Sequence, residues 1–181
     1  MTASPFVFAP HPDEPEPDSA ARAWLAREAD TLALGARIAG TLAPGLHIWL
    51  EGGLGSGKTT LARGLLRALG HTGPVKSPTY TLIELYALSR ITLYHFDFYR
   101  LTTPEEFLDA GLDEYFSGTG ICLVEWPRQA VPCLGDPDII ITLAPHGGGR
   151  QVTIQAKTAT GRTCIRHLTG STSAQRTAPP G

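Results

Sequence analysis

The chain has 181 residues, 42% of them hydrophobic, with a mean hydropathy of −0.04 and a formal net charge of −2. That length carries one good-sized core, and the composition is that of an ordinary globular protein rather than a disordered or membrane-embedded one. With 15 Lys and Arg against 17 Asp and Glu, the charge balance argues against a broad basic face, so an RNA partner would be met through other subunits rather than gripped directly.

Cys122, Cys133 and Cys164 show neither C-x-x-C spacing nor interleaved histidines, so no disulfide framework or zinc site is expected and a reducing cytoplasm fits best. The start, MTASPFVFAP, lacks a basic region followed by a long apolar run, and no stretch of about 18 apolar residues occurs, so neither signal peptide nor membrane span is expected.

Residues 1–18 mix five prolines, Pro5, Pro10, Pro12, Pro15 and Pro17, with Asp13, Glu14, Glu16 and Asp18, which predicts a flexible acidic tail. From Ser19, SAARAWLAREADTLALGARIAGTL spaces Trp24, Leu25, Leu32, Ile38 and Leu42 roughly as a helix, with a break expected at residues 33–35. LHIWL then reads as a strand, followed by a glycine-rich turn and the helix KTTLARGLLRALG, closed by Gly70. SPTY is a turn or exposed segment, stiffened by Pro78. TLIELYAL and ITLYHFDFYRL read as strands joined by the polar SR, a hairpin pattern. Thr103, Pro104 and Glu105 open TPEEFLDAGLDEYF in the order of a helix start. GICLVEW has the unbroken apolar pattern of a strand covered on both faces, and DIIITLAP, HGGG and RQVTIQAK form an antiparallel hairpin. The expected organisation is one domain over residues 19–160 and a flexible C-terminal tail over 161–181.

Gly52, Gly57, Lys58 and Thr59 fit G-x-x-x-x-G-K-[ST] between a predicted strand and a predicted helix, the setting that gives this motif its meaning. Backbone N–H groups from Gly53 through Leu54, Gly55, Ser56, Gly57, Lys58, Thr59 and Thr60 can curl around a phosphate chain. Lys58 can neutralise the outer phosphates, and the Thr59 hydroxyl can ligate Mg²⁺. A metal acid is then needed, and two residues compete: Glu125 at the end of ICLVE and Asp97 at the end of LYHFD. Both can serve, one holding Mg²⁺ and the other orienting water. Ser77 and Thr79 sit where phosphate-loop proteins often keep a switch. His95 within a strand reads as a hydrogen-bonded core histidine, and Trp126 and Pro127 as core and turn residues. The lysines are Lys58, Lys76 and Lys157, none followed two residues later by Asp as a guanine reader requires, so ATP is expected.

Taken together, GGLGSGKTTLARGLLRALG, VKSPTYTLIELY, LYHFDFYRL, EEFLDAGLDEYF and LVEWP resemble the TsaE family, also called YjeE, over about residues 24–158. The resemblance implies a phosphate-loop three-layer α/β/α sandwich with a mixed, mainly parallel central sheet and a C-terminal antiparallel hairpin. It implies a slow Mg²⁺-dependent ATPase of threonylcarbamoyladenosine tRNA modification, acting with TsaB and TsaD and meeting tRNA only through them. By residue, it makes Lys58 the phosphate lysine, Thr59 the Mg²⁺ hydroxyl, Asp97 the metal acid and Glu125 the second acid. It puts Ser77 and Thr79 in a switch-like segment and turns Trp126 into a functional residue. Where many members carry Asp and Ala in the loop, this chain has Gly53 and Ser56. A small-molecule kinase would use the same loop but needs an arginine-bearing lid, and Arg100, Arg128, Arg150, Arg162 and Arg166 are scattered. A nucleotide-dependent binding module would share the loop without needing the water-orienting acid.

Overall fold

The computed structural model describes residues 6–10 and 19–170; the remainder of the two predicted tails, 1–5, 11–18 and 171–181, lies outside the described residues. Eight strands form one sheet: β1 (Ala9–Pro10), β2 (Ala20–Leu25), β3 (His47–Glu51), β4 (Ile83–Ala87), β5 (Thr92–Asp97), β6 (Ile121–Glu125), β7 (Ile139–His146) and β8 (Gly149–Ala156). Their order is β1-β2-β8-β7-β3-β6-β5-β4. The centre, β7-β3-β6-β5, is parallel, while β4 on one side and β8, β2 and β1 on the other run antiparallel. The expected mixed sheet and C-terminal hairpin are therefore present, the latter turning at Gly147 and Gly148 between β7 and β8.

The side-chain alternation of the strands feeds two cores. On one face Ile48, Leu50, Leu93, Ile121 and Leu123 pack under α1 (Glu28–Ala39), α2 (Lys58–Ala68) and α4 (Ala159–Thr169). On the other, Trp49, Phe96, Cys122, Val124 and Ile140 meet α3 (Glu105–Asp109) and the 3₁₀ turns Leu112–Ser117 and Pro127–Ala130. This is the expected three-layer sandwich. Every residue of β6 is buried, because both faces are covered. The α1–α2 contact is backbone-close: a Cβ on Gly35 would strike the Leu61 carbonyl, and one on Gly64 the Leu32 carbonyl. Gly35 therefore marks a close approach, and α1 runs through it without the expected break.

Four expectations are corrected. Residues 20–25, predicted as helix, are strand β2, in which Ala21, Ala23 and Leu25 alternate inward. Pairing along β8 overrides the helix propensity of Ala, Arg and Leu. The helix instead opens at Glu28, where the Asp30 carboxylate accepts a hydrogen bond from the Arg27 N–H at 3.0 Å. Within the predicted N-terminal tail, Ala9 and Pro10 pair with β2, and Phe6 is buried with its ring under the Arg37 guanidinium. Within the predicted C-terminal tail, residues 161–169 belong to α4, capped by the Thr158 hydroxyl and burying Cys164, Ile165 and Leu168. Finally, the helix expected from Thr103 is short and starts at Glu105 after an N-cap at Pro104; Gly111, at φ +66°, separates it from the following 3₁₀ turn.

Candidate phosphate and metal site

The site lies beyond the carboxyl ends of β3, β5 and β6, where parallel sheets place their ligands. After β3, the chain turns at Gly52 with φ +142°, a conformation closed to other residues here: a Cβ would strike the Leu143 carbonyl and come within 2.6 Å of Ser56 Oγ. The loop enters α2 through Gly57, in the left-handed region, and the first amides of α2 lack intrahelical partners. Lys58, the first residue of α2, is 4% exposed. Its ammonium donates to the carbonyls of Gly52 at 2.8 Å and Gly53 at 2.9 Å, and lies 4.1 Å from the centre of the Trp126 ring. Burial pulls the Lys58 ammonium below its usual pKa, with the charges of Glu125 and Asp97 acting in the opposite sense.

Across the cleft, sheet register assembles the acids. Asp97 ends β5 and Glu125 ends β6, and the two are direct neighbours in the parallel pairing. Leu93, His95 and Asp97 on β5 share a face by the period of two, as do Ile121, Leu123 and Glu125 on β6. That face carries α2, because Leu93, Ile121 and Leu123 belong to the same core as α2's Leu61 and Leu65. Both carboxylates are buried, Asp97 at 2% exposure and Glu125 at 3%. The Thr59 hydroxyl donates to Glu125, 2.9 Å from Oε1 and 3.1 Å from Oε2. Asp97 Oδ2 accepts from the Ser77 hydroxyl and, at 3.0 Å, from that of Thr79; its Oδ1 accepts from the Tyr99 N–H at 2.9 Å.

The segments beside these acids hold two non-glycine residues with positive φ, Leu82 at 63° and Trp126 at 57°. For bulky residues this is strained backbone, which surrounding structure must enforce. At Leu82, the enforcing bonds are Leu82 N–H to the Pro78 carbonyl and Asp97 N–H to the Leu82 carbonyl. At Trp126, Pro127 disfavours the right-handed helical region for the residue before it.

A cleft of about 360 Å³ collects Leu54, Gly55, Ser56, Gly57, Lys58, Thr59, Thr60, Ser77, Thr79, Asp97, Glu125 and Trp126. Among the predicted site residues only Gly53 is outside this lining; it contributes its carbonyl to Lys58, and a Cβ there would meet nothing within 4 Å. Two neighbours were not assigned from sequence. Tyr99 lines the cleft and packs on Trp126 with ring centres 4.9 Å apart. His95, read as a core histidine, is fully buried and has Nε2 2.9 Å from Glu125 Oε1. Its signal was its position, two residues before Asp97 and hence on the same strand face. Arg100 does not line the cleft and lies over the Tyr80 ring at 4.3 Å.

Residues 25–164 match the family model described as threonylcarbamoyl adenosine biosynthesis protein TsaE. Proteins named tRNA threonylcarbamoyladenosine biosynthesis protein TsaE align from Haemophilus influenzae, 43% identical over 66% of this chain and 76% of the relative, and from Bacillus subtilis, 47% identical over 70% and 80%. The crystal structure of Bacillus subtilis YdiB superposes with a TM-score of 0.73 at 31% identity, covering 84% of this chain and 95% of that one. With the fold and most of both lengths in agreement, this chain belongs to the TsaE family of tRNA threonylcarbamoyladenosine biosynthesis proteins.

Proposed function

We propose that this chain is an ATP-binding, slowly ATP-hydrolysing cytoplasmic subunit that acts on the TsaB–TsaD complex and sustains repeated formation of the threonylcarbamoyl group on adenosine 37 of tRNAs reading ANN codons. The observation that carries this reading is the convergence, in one cleft, of a phosphate-type loop with Thr59, Asp97 and Glu125. The donor set fits Mg²⁺: hydroxyl and carboxylate oxygens, with no group of three His, Cys, Asp or Glu among the described residues that would cage a metal by itself. Such sites leave coordination positions for water and phosphate. Thr59 and Asp97 would hold the ion directly or through water, with Glu125 beside them as the second acid, near the metal or its water. The ion supplies charge neutralisation at the phosphates.

The chain's own groups do the rest. Loop amides and the N-terminus of α2 receive the phosphates. Lys58 exchanges two neutral carbonyls for phosphate oxygens, a stronger charge-assisted pairing. Glu125 accepts a proton from, or orients, the attacking water. Ser77 and Thr79, bonded to Asp97, couple their segment to what happens at that acid. No arginine lines the cleft among the described residues, in keeping with weak intrinsic turnover. A formal net charge of −2 is in keeping with tRNA being met through the partner complex. The domain that carries the site runs from residue 19 through α4.

The test is reconstitution. This protein and ATP are added to TsaB, TsaD, threonylcarbamoyl-adenylate and tRNA, and modified tRNA is counted per partner complex. The expected result is product well beyond one turnover, lost without ATP; product limited to one turnover with ATP present would refute the reading.

A further inference from the structure

His95 occupies a position that core packing does not explain. It is fully buried in β5, opposite Leu123 of β6, with Glu125 the diagonal neighbour on the same face. With Glu125 acting as a carboxylate, which only accepts, His95 Nε2 is the donor in the 2.9 Å contact with Oε1. The other ring nitrogen, Nδ1, is buried with no hydrogen-bond partner. Buried polar groups are ordinarily hydrogen-bonded, and the bond this histidine makes is to Glu125. Here one nitrogen is left bare while the other is spent on Glu125.

Glu125 needs such a partner. The terminal torsion of a glutamate is broad and roughly two-fold, so the end of the chain does not by itself fix where its oxygens point. In the structure Oε1 is shared by His95 and Thr59, whereas Oε2 has Thr59 alone. Thr59 is the weaker constraint, because its hydroxyl is the group expected to turn to a metal ion.

We propose that His95 is a positioning residue: its Nε2–H pins Oε1 of Glu125 and keeps Oε2 turned to the cleft when Thr59 lets go. This rests on the ATPase reading above. Removing hydrogen bonds of this outer kind costs about 10- to 100-fold in metal affinity or activity.

The test compares His95→Leu, which removes the donor, His95→Asn, whose amide falls short of Glu125, and His95→Gln, whose amide reaches the place of Nε2. Each variant is first checked by thermal melting, and the Asn variant supplies the contrast if the Leu variant does not fold. Affinity for a non-cleavable ATP analogue without Mg²⁺ is expected to stay within about twofold in all three, since none touches the loop. The Mg²⁺ concentration that half-maximally strengthens analogue binding should rise about tenfold, and turnover should fall about 10- to 100-fold, in the Leu and Asn variants. The Gln variant should recover both to within about threefold. Leu and Asn variants matching the unsubstituted protein, or a Gln variant as impaired as they are, would overturn the proposal. Absence of hydrolysis by the unsubstituted protein would instead sink the ATPase reading, and the Mg²⁺ midpoint would still decide for or against His95.

Discussion

The two walls of the cleft are built by different means. The phosphate wall is one contiguous stretch, Gly52 to Thr60, whose shape comes from backbone conformation and from Lys58 folding back onto its own loop carbonyls. The acidic wall is drawn from Ser77 and Thr79, from His95 and Asp97 of β5, and from Glu125 of β6, brought together by strand register and tied by side-chain hydrogen bonds. Damage to the first should therefore act through geometry and binding, and damage to the second through chemistry and orientation.

The largest effect is expected at Gly52. Gly52→Ala forces a Cβ against the Leu143 carbonyl at a φ of +142°, which should cost roughly 2–6 kcal/mol of folding stability from backbone strain and overpacking together. Gly53→Asp, one residue on, points into open space and should stay within about 0.5 kcal/mol. Chemical denaturation of the two variants reads the contrast, and equal losses would show that the loop is not held by its turn at Gly52.

On the opposite wall, Glu125→Ala should leave Mg²⁺-free ATP affinity nearly intact while lowering turnover about 10²-fold or more, the scale of a lost proton acceptor. Calorimetry beside a phosphate-release assay measures both, and sustained tRNA modification by this variant would count against the role. Lys58→Ala should do the reverse, weakening ATP binding by about 10- to 150-fold, equivalent to about 1.5–3 kcal/mol for a charge-assisted hydrogen bond. Smaller still are Ser77→Ala and Thr79→Ala. Each leaves the other hydroxyl on Asp97 Oδ2, so single losses of about 0.5–1 kcal/mol should combine to more than their sum in a double-mutant cycle.

The same contrast explains what could be read from the chain. The phosphate loop was legible because its residues are neighbours in sequence and its glycines and lysine have few other reasons to occur together. Asp97 and Glu125 could be nominated separately as acids ending strands, but their adjacency depends on β5 and β6 pairing in register, which no local pattern encodes. His95 is the buried, hydrogen-bonded histidine its strand setting suggested, but its partner could not be named for that reason, since Glu125 is 30 residues away. At the ends of the chain the opposite error occurred. Residues 20–25 have helix-forming composition and became a strand because β8 offered an edge, while α4 was hidden by its Thr and Gly content although Cys164, Ile165 and Leu168 have helical spacing.

The subtlest difference between the walls concerns proton occupancy. Burial lowers the Lys58 pKa from 10.5, despite Glu125 and Asp97. Between the folded and unfolded values, the unfolded chain binds more protons at this group, so its contribution to stability grows as pH rises towards 10.5 and is lost as pH falls through the folded value. The raw alkaline profile obscures this. Tyr86 and Cys122 have raised values, the latter pushed up to about 12, and such groups lose stability with rising pH because the unfolded state releases protons first. Both remain in Lys58→Met, so the difference between the two melting profiles isolates the lysine. From neutral pH towards 10.5 that difference should move in favour of the unsubstituted chain, and ATP added at each pH should erase the trend by holding the ammonium charged against phosphate. A pH-independent difference would mean that the hydrogen bonds to Gly52 and Gly53 and the Trp126 ring fully replace the water Lys58 has lost.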